Sequence, residues 1–190
     1  MSRLLAFAGS ARRESFNKKL ASEASRLARE AGAETTELDL RDYPLPLYDG
    51  DLEAAEGAPE HVATLRGLFV EHDGFLIACP EYNSSITPLL KNTIDWISRP
   101  AEGVPNLAAF RGKTATVLSA SPGALGGMRG LVHVRSILGT LGIFVMPSQV
   151  ALSKAHSAFG EDGRLIDAPT EERLRKAVAE LVAATDRLAG

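Results

Sequence analysis

The segment from Gly9 to Asn17, with the sequence GSARRESFN, is rich in side chains that bind anions. The hydroxyls of Ser10 and Ser15 and the amide of Asn17 donate hydrogen bonds, and the planar guanidinium of Arg12 matches two phosphate oxygens at once. A helix starting here would add free N–H groups and the positive end of its dipole. The spacing therefore predicts a phosphate site, although the same residue types are also common in turns and helix caps.

This segment does not follow the two better known phosphate-binding patterns. It contains no G-x-G-x-x-G, and it does not end in the Gly-Lys-Ser/Thr of a P-loop. A phosphate site at this position is therefore neither a dinucleotide fingerprint nor a Walker motif.

The composition limits what else the chain can be. Its 190 residues, 45% of them apolar and 24% charged, predict one globular domain over residues 1–190. The net charge is −3 and the 21 basic residues form no stripe, which argues against nucleic acid or an anionic membrane as a partner. The sequence shows no leader-like start and no apolar run of about 20 residues, so we expect a cytoplasmic location.

Metal and thiol chemistry find little support in the sequence. The four histidines, at positions 61, 72, 133 and 156, show no ligand spacing, so no metal site is predicted. The single cysteine, Cys79, stands at the end of an apolar run, which favours a small buried side chain over a reactive thiol.

Apolar segments alternate with helical patterns along the chain, which is typical of a parallel sheet covered by helices on both faces. Strands are predicted from Arg3 to Ala8, Glu34 to Leu40, Gly74 to Cys79, Thr114 to Ala120, and from about Ile143. Helices are predicted from the N-cap Ser15 as far as Gly32, through Val62, Leu65 and Phe69, from Pro88 to Ile97, from Leu131 to Leu141, and from about Thr170 with Leu174, Val178, Leu181, Val182 and Leu188 on one face. Residues 43–48 contain two prolines and predict an extended loop.

Five parallel strands suit a three-layer α/β fold with the flavodoxin-like order 2-1-3-4-5. In that order the winding reverses between the first and third strands, and ligands bind beyond the carboxyl ends of the strands at such a point. The loops after these two strands, residues 9–15 and Pro80 to Ser85, are both elaborate. The loop from Ser119 to Gly127 opens at the same edge, so three loops able to bind a ligand are predicted to converge.

Three strings in the chain together resemble the NAD(P)H-dependent FMN reductases, which include bacterial quinone, chromate and azo-dye reductases. They are Gly9-Ser10-x-Arg12-x-x-Ser15-x-Asn17, then Pro80-Glu81-Tyr82-Asn83 continuing to Leu90-Lys91-Asn92-x-Ile94-Asp95-Trp96, and Gly123-x-x-Gly126-Gly127. The resemblance covers nearly the whole chain. It implies a flavodoxin-like fold, bound FMN, NADPH or NADH as a transient hydride donor, and a homodimer or homotetramer.

The resemblance also implies which residues bind the cofactor. The phosphate of FMN would be held by Ser10, Arg12, Ser15 and Asn17, with help from the backbone amides of Phe16 and Asn17. The ring would be bordered by Pro80, Glu81, Tyr82 and Asn83, and by the loop residues Ser119, Ser121, Gly123 and Gly126. The glycines would let the backbone approach the flavin closely.

Two of the matched side chains need a separate expectation. A Glu81 carboxylate facing the ring would repel the reduced, anionic flavin, so we expect it to turn away and to have a structural or solvated role. For Trp96, which lies near subunit contacts in the family, a place in the core and a place in an interface are equally compatible with the sequence.

The activity implied by the resemblance is the passage of a hydride from NAD(P)H through FMN to a quinone or a similar acceptor, such as chromate, an azo compound or free flavin, by a ping-pong mechanism. Hydride transfer requires no acid, base or nucleophile from the protein, so no catalytic residue is predicted. Arg13, Arg129 and Arg135 are candidates for contact with the 2′-phosphate of NADPH, against the simpler expectation of solvated arginines.

Two alternative functions follow from the same fold. A flavodoxin-type carrier would bind FMN but pass single electrons to protein partners; such carriers are markedly acidic and usually lack an arginine like Arg12. A nucleotide-binding or hydrolase domain would bind no flavin, but residues 119–123 do not fit the G-x-S-x-G nucleophile elbow. The sequence favours the reductase.

Overall fold

The structure is a computed structural model that describes residues 1–189, and it alternates strands and helices as the sequence predicts. The strands are β1 (Arg3–Ala8), β2 (Glu34–Leu38), β3 (Gly74–Ala78), β4 (Thr114–Ala120), β5 (Phe144–Val145) and β6 (Val150–Leu152). The helices are α1 (Phe16–Glu30), α2 (Gly50–Glu56), α3 (Glu60–Glu71), α4 (Pro88–Ile97), α5 (Met128–Thr140) and α6 (Ala168–Ala189). No helix within this described part is long and apolar enough to cross a membrane.

The strands form one parallel sheet in the order β2-β1-β3-β4-β5, which confirms the flavodoxin-like α/β fold. The fifth strand begins near Ile143 as predicted, but it is short, and a sixth strand that was not predicted also pairs with β4. Phe144 and Val145 pair with the first residues of β4, whereas Val150–Leu152 pairs with its last residues. Pro147 lies between the two strands, and proline has no N–H to donate to a ladder.

Two predicted boundaries need correction. Strand β2 ends at Leu38 and not at Leu40, because the Asp39 carboxylate accepts a hydrogen bond from the Arg41 N–H (3.0 Å) and opens a short 3₁₀ turn. On α6, the predicted apolar face includes Leu188, but this side chain is 56% exposed. The buried face of the helix ends at Thr185, one turn earlier.

The two faces of the sheet carry cores of different character. The face covered by α1 and α6 is built largely from small and aliphatic side chains. The face covered by α3, α4 and α5 holds an aromatic cluster in which the Phe69 ring lies 5.3, 5.0 and 5.7 Å from those of Phe7, Phe75 and Phe110. Cys79 belongs to this second core and is fully buried, as predicted, and burial raises the pKa of its thiol far above the ordinary value.

Helices α1 and α6 are joined by a network of ion pairs. Arg26 contacts the carboxylates of Glu23 (2.7 Å), Glu171 (3.1 Å) and Glu30, and Arg175 contacts Glu30 (2.7 Å) and Glu171 (2.8 Å). The hydrogen bond to Glu23 is the main reason why the pKa of Arg26 is raised. Both guanidiniums are therefore neutralised within the protein.

Helix α2 was not predicted from the sequence, because it is short and buries no residue that would give a helical pattern. The extended loop before it is fixed to α4. Trp96 Nε1–H and Asn92 Nδ2–H both donate to the Pro46 carbonyl at 2.8 Å, and the Asn92 oxygen accepts from the Tyr48 N–H at 2.8 Å. Trp96 is fully buried, so of the two expectations for this residue the structure of the chain supports a place in its core.

Candidate functional site

The loops after β1 (residues 9–15, the β1 loop), β3 (residues 79–87, the β3 loop) and β4 (residues 121–127, the β4 loop) lie together at one edge of the sheet, as the strand order requires. Thr87 Oγ1–H donates to the Gly9 carbonyl at 2.7 Å and so ties the first loop to the second. Asn17 ties the start of α1 to the end of β4, because its amide donates to the Ala120 carbonyl (2.8 Å) and accepts from the Ala120 N–H (3.0 Å). The three loops therefore form one connected rim.

The start of α1 lacks a side-chain cap, as do the starts of α3 and α5, but α1 alone among these three has a hydroxyl side chain at its N-cap position. Ser15 occupies the N-cap position, as predicted, with extended φ and ψ of −83° and 124°, but its hydroxyl makes no cap hydrogen bond. By contrast, Asp49, Thr87 and Asp167 each accept a backbone N–H at the start of α2, α4 and α6. The N–H groups of the first turn of α1 thus remain available to an anion.

The cation beside this helix start is also free of internal partners. Ser10 Oγ accepts a hydrogen bond from the Arg12 N–H at 3.3 Å, which bends the β1 loop around the Ser10 hydroxyl. The Arg12 side chain is exposed, and within residues 1–189 neither Arg12 nor Arg13 takes part in a salt bridge. Uncapped N–H groups, hydroxyls and an unpaired guanidinium are the donor set that a phosphate requires.

Asn17 is used differently from what the sequence suggested. Its amide oxygen and one amide hydrogen are engaged by Ala120, so its second amide hydrogen and its backbone N–H are what remain for an anion. The resemblance named Asn17 as a phosphate ligand, and the structure adds that it holds α1 against β4.

The β3 loop contains a tight hairpin turn. Tyr82 and Ser85 exchange two backbone hydrogen bonds of 3.0 Å, and the two residues between them, Asn83 and Ser84, have φ values of 50° and 65°. These left-handed values, rare for residues other than glycine, define a two-residue turn of the kind that joins hairpin strands. Tyr82 is 49% exposed at the rim, whereas Pro80 before it is buried.

The Glu81 carboxylate points to the start of α5 and not into solvent. It accepts hydrogen bonds from Arg129 Nε (2.9 Å), Arg129 Nη2 (2.6 Å) and the Gly130 N–H (3.0 Å). Burial raises the pKa of Glu81, but the bonds from Gly130 and Arg129 outweigh it and hold this pKa below its ordinary value of 4.5. Glu81 is therefore an ionised structural group.

The same contacts reduce the candidates for a 2′-phosphate ligand. Arg129 is paired with Glu81, and Arg135 donates to the Met146 carbonyl at 2.8 Å. Among the three arginines suggested by the sequence, Arg13 alone makes no salt bridge or side-chain hydrogen bond with residues 1–189.

In the β4 loop, internal packing already accounts for two of the glycines. A Cβ on Gly127 would lie 1.9 Å from Ser119 Oγ, and one on Gly126 would lie 2.7 Å from the backbone of β6. Both also have positive φ. Internal packing therefore explains why these two residues are glycines, and the contact of Gly126 with a flavin stays a prediction, as does that of the exposed Gly123.

The two serines of this region differ in their surroundings. Ser119 Oγ is buried without a hydrogen-bond partner and faces the backbone of Gly127, whereas Ser121 Oγ accepts from the Gly123 N–H at 3.2 Å. Ser121 thus shapes the rim, and Ser119 lies beneath it.

Sequence reasoning missed two residues that organise the rim. Thr87 caps α4 and binds Gly9, and the signal for it was present, since a threonine followed by proline is a common start of a helix. His133 Nδ1 lies 2.8 Å from Ser85 Oγ, and nothing in the local sequence indicated this contact.

Comparison with known proteins gives a consistent result. Residues 2–157 match the family described as NADPH-dependent FMN reductase. A probable NADPH:quinone oxidoreductase of Oryza sativa is 38% identical over 99% of this chain and 91% of its own length, and an NAD(P)H-dependent FMN reductase of Pseudomonas aeruginosa is 35% identical over 99% and 97%. The solved structure of a flavoenzyme NAD(P)H:(acceptor) oxidoreductase from Paracoccus denitrificans superposes with a TM-score of 0.84 at 30% identity, covering 98% of each chain.

Proposed function

The chain belongs to the NADPH-dependent FMN reductase family, and on that premise we propose that it binds FMN at the rim formed by the β1, β3 and β4 loops and reduces a quinone or a similar acceptor with NAD(P)H. The observation that carries this proposal is the uncapped start of α1 beside Arg12. A helix start with free N–H groups, an idle N-cap hydroxyl and an unpaired guanidinium suits a phosphate dianion, and it stands where ligands bind in this topology.

The residues of the β1 loop would hold the phosphate of FMN. Arg12 would contribute a charge-assisted pair, the hydroxyls of Ser10 and Ser15 would donate neutral hydrogen bonds, and the N–H groups of Phe16 and Asn17 would add the field of the helix. None of these groups needs to change its internal partners, because only Ser10 makes an internal hydrogen bond, and it does so as an acceptor.

The β3 and β4 loops would hold the ring. The hairpin turn leaves Tyr82 and Asn83 exposed at the rim, and the β4 loop contributes Ser121 and the exposed Gly123. With Glu81 turned toward α5, the pyrimidine edge of the ring would meet backbone N–H groups and not a carboxylate, and this favours the negative charge that accumulates on reduction.

Bound FMN supplies the chemistry, which is transfer of a hydride from NAD(P)H and delivery of electrons to an acceptor such as a quinone, chromate, an azo compound or free flavin, in two half-reactions of a ping-pong cycle. The protein binds and orients, and no side chain at the rim is required as acid, base or nucleophile. We therefore assign no catalytic residue.

A visible spectrum before and after anaerobic addition of NADPH tests the proposal. We expect purified protein reconstituted with FMN to be yellow and to bleach rapidly on NADPH addition in a stopped-flow experiment. Slow or absent bleaching of a yellow protein would point to a single-electron carrier. A colourless protein that ignores added FMN would exclude a flavoenzyme.

A further inference from the structure

Both stems of the hairpin turn in the β3 loop are fastened to α5. On one side Glu81 accepts from Arg129 and from the Gly130 N–H, at 2.6 to 3.0 Å. On the other side Ser85 Oγ lies 2.8 Å from His133 Nδ1. Residues 129, 130 and 133 lie on one side of α5 near its N-terminus. The same helix therefore holds both ends of the hairpin turn.

The turn needs such support because its own conformation is unfavourable. Asn83 and Ser84 are both in the left-handed region, which is unfavourable for L-amino acids, although less so for asparagine than for serine. An open groove of about 530 Å³ also lies beside the base of the turn, lined by residues that include Ser85, Ile86 and Lys91. Polar contacts therefore hold the turn in place.

The start of α5 is shaped to receive the turn. A side chain at Gly130 would place its Cβ 3.1 Å from the Ser85 carbonyl oxygen and 3.4 Å from Glu81 Cβ, so glycine lets the helix approach both stems. The Glu81 side chain is only 9% exposed, and its carboxylate lies against the first turn of α5, where the positive end of the helix dipole favours a negative charge.

We propose that Glu81 is a positioning residue, which acts through the hairpin turn by anchoring it to Arg129 and Gly130 and so holds Tyr82 and Asn83 in the orientation that receives the flavin ring. This inference rests on the proposed function, since it assumes that a flavin binds at the rim. It assigns Arg129 to the support of the ring site, and not to recognition of the nucleotide.

Two ligands separate this role from phosphate binding: FMN, and riboflavin, which has the same ring and no phosphate. Glu81→Gln keeps an oxygen for the Gly130 N–H but sets an amide against Arg129 in place of a charge. We expect the dissociation constants of apo-protein for FMN and for riboflavin to rise by the same factor, on the order of 10-fold, in fluorescence-quenching titrations. Arg129→Gln should act in the same direction, and the double variant should be no weaker than Glu81→Gln alone, because both changes break one ion pair.

Glu30→Gln is the matched control, since it makes the same substitution in an arginine–carboxylate cluster on the α1–α6 face. If Glu81→Gln lowers flavin affinity no more than Glu30→Gln does, the inference is wrong. The inference also fails if Glu81→Gln weakens FMN but leaves riboflavin unchanged. If Glu81→Gln melts at a much lower temperature than the wild type, the flavin affinity of Arg129→Gln is used in its place. The Arg129 side chain is 57% exposed, so its replacement should disturb the fold less. A wild-type protein that binds neither flavin overturns the proposed function itself, and this inference with it.

Discussion

The β1 loop and the β3 loop lie side by side at the ends of adjacent strands, but they use their polar groups in opposite ways. In the β1 loop the Arg12 guanidinium and the Ser15 hydroxyl make no internal hydrogen bond. In the β3 loop Glu81, Ser85 and Thr87 are all engaged by other parts of the chain.

This difference indicates two kinds of binding surface. Unpaired donors at the β1 loop are satisfied only when an anion arrives, so the ligand itself completes that part of the structure. In the β3 loop, Glu81, Ser85 and Thr87 already have hydrogen-bond partners within the chain, so this loop contributes a preformed surface. The unpaired Arg12 also contrasts with Arg26 and Arg175, whose charges are neutralised by carboxylates of α1 and α6.

Replacing Arg12 by alanine removes the charged donor of the β1 loop, and this change has the largest expected effect. A charge-assisted hydrogen bond contributes on the order of 1.5–3 kcal/mol, so we expect the FMN dissociation constant to rise by roughly 10- to 150-fold, with little change for riboflavin. Fluorescence titration of apo-protein measures both. Arg187→Ala, an exposed arginine on α6, is the control, and an Arg12→Ala affinity equal to that of the control would remove Arg12 from the site.

Replacing Thr87 by valine tests the link between the two loops. The change removes the cap of α4 and leaves the buried Gly9 carbonyl without its partner, so the free energy of unfolding should fall by about 1–3 kcal/mol in urea denaturation. Thr93→Val is the control. The Thr93 hydroxyl only binds a carbonyl one turn earlier in the same helix, and its loss should matter little. Equal losses for the two variants would contradict the link.

Replacing Ser15 by alanine should separate binding from stability. The hydroxyl makes no cap bond, so the unfolding free energy of the apo-protein should change by less than about 0.5 kcal/mol, in contrast to an ordinary N-cap substitution. The affinity for FMN should nevertheless fall by roughly 2- to 12-fold, the value of one neutral hydrogen bond. A clear loss of apo-protein stability would show that Ser15 caps α1 after all.

Acidification tests the anchor of the β3 loop by protonating Glu81, and its expected effect is the smallest. Since the folded protein holds the pKa of Glu81 below 4.5, the carboxylate stabilises the fold above that value, and this contribution is lost as the pH falls through the lowered pKa. Riboflavin affinity, which involves no ligand phosphate, should therefore weaken by a few-fold below about pH 4.5. The pH dependence should be flatter in Glu81→Gln, and identical profiles would contradict the assignment.

The parts of the fold that the sequence predicted well are those determined locally. Strands β1 and β4 were predicted with their observed ends, because each is a run of buried residues bounded by polar ones or by a turn. Helix α2 and strand β6 were not predicted, since α2 buries no residue and β6 is separated from β5 by a segment that contains Pro147.

The site shows the same division between local and distant information. The residue types of the rim and their place at the edge of the sheet followed from the sequence, but the partners of Asn17 and Glu81 did not. Asn17 binds a residue 103 positions away, and Glu81 a residue 49 positions away. The sequence does not show whether a polar side chain has a hydrogen-bond partner within the chain or is free to bind a ligand. The folded structure shows this.

The burial of Cys79 has a consequence for the proposed reduction of quinones. Quinones are electrophiles that alkylate thiolates, and exposed cysteines of low pKa are their usual targets. The chain has one cysteine, which is fully buried and whose thiol is kept protonated by its surroundings. A quinone acceptor would therefore meet no thiolate on the folded protein, and the protein should tolerate thiol-directed reagents that inactivate many other oxidoreductases.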